Sequence, residues 1–147
     1  PRLDGFDWFT ASGAPGTVPN GCRTGFAPCV ADLDGDGRAD VASGSRPGHV
    51  YLFRRTADGF AGGERAVHPD GTDVLVGDET VATAADRDGD GKADLIVGEL
   101  QGQVFVLRNV GVPGRPAFAQ PQRVTAGGVP VEAAHGIAAP CVADWDG

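Results

Sequence analysis

A nine-residue motif that occurs twice sets the tightest limit on what this chain can fold into. Asp32-Leu33-Asp34-Gly35-Asp36-Gly37-Arg38-Ala39-Asp40 and Asp86-Arg87-Asp88-Gly89-Asp90-Gly91-Lys92-Ala93-Asp94 agree at seven of nine positions and lie 54 residues apart. Each copy carries carboxylates at motif positions 1, 3, 5 and 9 and a glycine at position 6. Four like charges within nine residues repel one another, so such a loop is compact only around a cation. Alternate spacing turns successive oxygens inward, and the glycine permits the sharp turn that brings the position-7 carbonyl round. Those are the needs of Ca²⁺, a hard ion that takes six to eight oxygen ligands. A pair of solvated acidic turns is the bland alternative, and recurrence at unchanged spacing argues against it.

The flanking residues decide what the loops join. A helix–loop–helix calcium site would place a bidentate glutamate at position 12, where this chain has Ser43 and Val97. Each loop instead runs into an apolar segment closed by glycine, Asp40-Val41-Ala42-Ser43-Gly44 or Asp94-Leu95-Ile96-Val97-Gly98. Next come His49–Arg54 and Gln103–Arg108, rich in β-branched and aromatic residues, which read as strands. No window sustains a 3.6-residue apolar period, and 24 Gly with 11 Pro would break most helices. Small-residue strands lead into the loops at Ala27–Asp32, Val81–Asp86 and again at Ala139–Asp144, and a fourth element is expected around Phe60 and Phe118. The interval from Asp86 to Asp144 is 58 residues, and the extra length falls in the Pro/Gly-rich turn Asn109–Pro116, where an insertion is tolerated. Four strands per unit of this length mark a β-propeller blade. The expectation is an all-β chain of β-propeller-type four-stranded blades, about two complete, with partial flanking strands. Its expected units are a partial blade over 1–36, a blade over 37–90 and a blade over 91–147.

The Gly25-Phe26 lead-in, the Asp-x-Asp-Gly-Asp-Gly-x-x-Asp loop and the apolar strand closed by glycine resemble FG-GAP/VCBS repeats. These are the calcium-binding blades of integrin α-chain propellers and of many secreted bacterial proteins. The resemblance covers nearly all of residues 25–147. It implies calcium held between a blade's first two strands by Asp32, Asp34, Asp36, the Arg38 carbonyl and Asp40, and by Asp86, Asp88, Asp90, the Lys92 carbonyl and Asp94.

Composition narrows the partners. The net charge is −8, and without the ten loop aspartates the chain would carry +2, so its acidity is metal chemistry. The 12 Lys+Arg are scattered, which argues against nucleic acid, and no apolar run approaches the length of a membrane span. Loops this charged suit extracellular, millimolar calcium, so a secreted or cell-surface bacterial protein is expected. Cys29 and Cys141 share a blade position and read as small buried side chains, while Cys22 is close enough to Cys29 for a disulfide.

No catalytic constellation can be defended. Ser12, Ser43 and Ser45 lack a nucleophile context, and His49, His68 and His135 lack metal-ligand spacing and read as surface or turn residues. Trp8, Tyr51 and Trp145 could stack on sugars, although burial within a blade is the commoner fate. The chain contains no Met, so residue 1 is not a translation start and the sequence reads as processed or as a piece of something longer. A third loop opens at Asp144-Trp145-Asp146-Gly147, and Pro1–Asp4 aligns with a loop's end, so Asp144, Asp146 and Asp4 form an expected shared third site between copies. The expected role is a non-catalytic calcium module for binding or scaffolding. Its expected partners are further blades or copies of itself, with a protein or glycan ligand. The alternative is an accessory propeller of a secreted polysaccharide-acting enzyme.

Overall fold

Central strands buried on both faces build two antiparallel sheets of the same strand order, one per repeat. The computed structural model describes residues 10–11, 14–15 and 27–143. A hairpin of β1 (Thr10–Ala11) and β2 (Ala14–Pro15) comes first. The first blade contains β3 (Pro28–Ala31), β4 (Asp40–Gly44) and β5 (Val50–Phe53). A small hairpin of β6 (Arg55–Thr56) and β7 (Gly59–Phe60) comes next, and β8 (Glu64–Arg65) completes the sheet in the order β3-β4-β5-β8. The second blade is β9 (Val81–Ala85), β10 (Asp94–Gly98), β11 (Val104–Leu107) and β12 (Gln122–Arg123), again in sequence order. A hairpin of β13 (Thr125–Ala126) and β14 (Val129–Pro130) lies beyond it. The described residues contain no helix.

Two expectations shift. The fourth strands begin at Glu64 and Gln122, four residues after Phe60 and Phe118. Phe60 instead lies on β7, which also pairs in parallel with β1, and Phe118 makes an isolated bridge to Asn109. Phe118 is buried and Phe60 half-buried, and each precedes the strand that completes its sheet. In addition, the sheets run from Pro28 to Arg65 and from Val81 to Arg123, so each acidic loop lies inside a sheet, between its first two strands. Boundaries at 36/37 and 90/91 therefore cut the loops.

Strand register fixes how the blades stack. Val41 and Phe53 face each other across β4 and β5, as do Ala42 and Leu52, so neighbouring pairs point to opposite sides. One side of the first blade gathers Val41, Tyr51 and Phe53 with Phe60. The other side contributes Ala42, Val50, Leu52 and Ala66 to a core shared with Leu95, Val97, Leu107 and Phe118 of the second blade. Leu95 and Val97 are the counterparts of Val41 and Ser43. The blades thus stack with one unit's Ala42 face against the next unit's Leu95 face. Each large apolar side chain buried there stabilises the pair by about 1.5–3 kcal/mol. Gly44 makes the approach possible, because a Cβ there would lie 2.0 Å from the Thr80 carbonyl oxygen. The repeat reproduces this at Gly98, whose added Cβ would lie 2.2 Å from the Ala138 oxygen.

Candidate metal centre: two acidic loops at the blade junction

Position 1 organises each loop. Asp32 accepts the N–H groups of Gly35 (2.8 Å) and Asp36 (3.1 Å) on Oδ1 and that of Gly37 (2.8 Å) on Oδ2. Asp86 repeats this with Gly89 (2.8 Å), Asp90 (3.2 Å) and Gly91 (2.9 Å). The turn needs left-handed backbone at position 6, where Gly37 has φ +83° and Gly91 φ +84°. At position 5, Asp36 and Asp90 accept the N–H of the position-7 residue, Arg38 at 2.8 Å and Lys92 at 3.0 Å.

Position 9 ties the loop to the chain just past the blade's third strand. Oδ1 of Asp40 accepts the Arg55 N–H and Oδ1 of Asp94 the Asn109 N–H, each at 2.7 Å. Both aspartates are buried. Asp40 Oδ2 also accepts the Leu33 N–H at 3.0 Å, whereas Asp94 Oδ2 is buried with no hydrogen-bond partner. An unpartnered buried carboxylate oxygen costs free energy unless something outside the protein satisfies it.

The loops bring together three carboxylates each. One oxygen from each of Asp32, Asp34 and Asp40 lies within 4.8 Å of the others, and the same holds for Asp86, Asp88 and Asp90. Asp36 and Asp94, expected as fourth ligands, fall outside these clusters. Asp36 is drawn to the Arg38 guanidinium, which holds its carboxyl below the usual range. The Asp90 carboxyl is also lowered, first by the Lys92 backbone N–H and then by the Lys92 ammonium. Asp34 is raised, chiefly by burial and then by the charges of Asp40 and Asp36. Such a carboxylate gains most from a cation. Asp88, by contrast, already pairs with the Arg108 guanidinium. The two loops flank a cleft of about 250 Å³ lined by Asp34, Asp90, Lys92 and Asn109.

Asn109 is a site residue that the sequence pattern does not single out. Its only signal is that the repeat changes there, from Arg55 in the first blade. Asp144, Asp146 and Asp4 of the expected third site, together with Trp8, Trp145 and Cys22, lie outside the described residues. Cys29 and Cys141 are free thiols, Cys29 half-buried and Cys141 exposed rather than buried. His68 is buried, not on the surface, with Nδ1 2.7 Å from the Phe118 carbonyl oxygen. Tyr51 is buried in the first blade.

Loop, glycine-closed strand and stacked blade now stand together, and residues 32–97 match the model of the FG-GAP-like repeat. These residues are an FG-GAP-like repeat. The matched segment runs from the first loop into β10, so it spans the junction of the two blades. Integrin alpha-4 of Xenopus laevis is 31% identical over 114 residues, covering 68% of this chain. The match spans 11% of that integrin's length. No solved structure matches. The blades are β-propeller-type units, and no helix among the described residues is long and apolar enough to cross a membrane.

Proposed function

We propose that this chain is a calcium-binding segment of an extracellular β-propeller, serving a non-catalytic binding or scaffolding role. The observation that carries the reading is the convergence of three carboxylates in each of two loops built on the same backbone plan. The unpartnered, buried Asp94 Oδ2 supports it, since a cation would satisfy an atom that the protein leaves bare. Asp32, Asp34 and Asp40 would hold one ion, with Asp36 and the Arg38 carbonyl alongside. Asp86, Asp88 and Asp90 would hold the other, with Asp94 and the Lys92 carbonyl. When bound, calcium supplies the positive charge that lets these carboxylates crowd together. The loops' acidity suits extracellular calcium levels.

Further blades are the partners this reading favours. Ile96 and Val106 are the second blade's counterparts of Ala42 and Leu52, and with Val124 and Val142 they line a cleft of about 250 Å³. In the first blade the corresponding face is buried by the next unit. The test is calorimetric titration of the calcium-stripped chain. Two sites per chain are expected, each adding about 2.7 kcal/mol to unfolding at a hundredfold excess over its Kd. Absence of binding at millimolar calcium would sink the reading.

A further inference from the structure

Asn109 stands where the two loops meet. It lies just past the end of β11 and is 3% exposed. Its backbone N–H donates to Asp94 Oδ1 of the second loop at 2.7 Å. Its side-chain Nδ2 donates to the Ala93 carbonyl of that loop at 3.2 Å and to the Leu33 carbonyl of the first loop at 3.1 Å. Oδ1 accepts the Gly111 N–H at 3.2 Å, which fixes the amide's orientation. Further along the same connection, the Gly114 N–H donates to the Asp34 carbonyl at 2.7 Å. One connection of the second blade therefore grips motif positions 2 and 3 of the first loop and positions 8 and 9 of its own.

The bridge is a property of this junction and not of the repeat. Arg55, the residue equivalent to Asn109, makes the same backbone bond to Asp40 at 2.7 Å. Its guanidinium, however, lies over the Phe60 ring, 4.7 Å from the centroid. Of the two, only Asn109 carries a short amide that can donate to two carbonyls at once.

We propose that Asn109 couples the two metal sites, so that filling either loop strengthens binding at the other. The proposal rests on the calcium reading above. Ordering loop 86–94 around an ion fixes Asp94 and Ala93, and these fix Asn109. Asn109 then holds Leu33, next to the ligands Asp32 and Asp34. The loop that fills first thus bears part of the ordering entropy of the second, which is positive cooperativity without a change of shape. Linkage requires the effect to be equal in both directions.

The competing account is that Asn109 only satisfies two buried carbonyls. A binding cycle on the full 147-residue chain separates the two. Asp86→Asn disables the second loop, and calcium titration then reads the first loop's affinity, in the native background and with Asn109→Ala. Coupling predicts a drop of roughly five- to tenfold on Asp86→Asn in the native background. With Asn109→Ala, the first loop should start weak and respond to Asp86→Asn by less than about twofold. An unchanged first loop in the native background, or an equal drop in both backgrounds, would overturn the coupling. Should Asn109→Ala fail to fold, the mirror measurement decides. Asp32→Asn must weaken the second loop by the same factor that Asp86→Asn weakens the first, and unequal or absent effects overturn the proposal. Calcium binding without linkage defeats the coupling alone, whereas no binding to the unsubstituted chain defeats the calcium reading and the coupling with it.

Discussion

The two acidic loops share a sequence plan and an internal hydrogen-bond pattern, yet they occupy opposite surroundings. Loop 32–40 lies under the second blade, with Leu33 2% and Asp34 9% exposed and both carbonyls bonded to the Asn109–Pro116 connection. In loop 86–94, Arg87 and Asp88 at the same positions are exposed. The position-3 carboxylates respond accordingly. Asp88 pairs with Arg108, the residue after the third strand. In the first blade the equivalent Arg54 reaches Glu64 at 3.0 Å and the Gly114 carbonyl at 3.4 Å. Asp34 is thereby left to burial and like charge, which raise its pKa. A motif sets the local backbone, but the neighbouring blade sets the electrostatic environment in which the motif works.

Position 2 offers the strongest way to break this comparison. Leu33 belongs to the core shared by the two blades, whereas Arg87 is solvated. Leu33→Ala should cost about 2–4 kcal/mol in urea unfolding, and Arg87→Ala should stay within about 0.5 kcal/mol. Equal costs at the two positions would mean that the loops' surroundings do not differ in solution as described.

Position 6 should show the loops behaving alike. An added Cβ at Gly37 or Gly91 meets no atom within 4 Å, so backbone conformation alone demands glycine there. Gly37→Ala and Gly91→Ala should each cost about 1–2 kcal/mol, measured in calcium-free buffer. A clear difference between them would show that the second blade's grip reaches beyond positions 2 and 3.

The smallest effect comes from an acidic turn outside both loops. Asp70 accepts the Thr72 hydroxyl at 2.6 Å and the Thr72 N–H at 3.0 Å, and the hydroxyl is the main cause of its lowered pKa. A folded-state pKa below the unfolded value adds stability above the unfolded pKa, and that gain is lost as pH falls through the folded pKa. Asp70→Asn should therefore cost a little stability at neutral pH and nothing once both states are protonated. Calcium titration of the two loops should be unaffected. A change in either loop's affinity would show that this turn is not the independent control its hydrogen bonds suggest.

Much of the fold was legible in the sequence because it is local. Asp32 and Asp86 set their turns through bonds to residues three to five positions away, so the motif and its glycines announce the loop. The β-branched and aromatic residues of His49–Arg54 and Gln103–Arg108 announce strands, whereas the close approach at Gly44 and Gly98 emerges only in the structure. What the sequence could not assign was which of two similar loops would be covered. Leu33 and Arg87 differ by one residue type, and the meaning of that difference appears only when the second blade closes over the first. Nor could it single out Asn109, whose donors reach Leu33 across 76 residues of chain. Short-range hydrogen bonds and apolar, glycine-bounded strand runs are written in consecutive residues. The burial of Asp34, the orphaned oxygen of Asp94 and the bridge through Asn109 arise from contacts between distant parts of the chain, and only the stacked tertiary structure decided them.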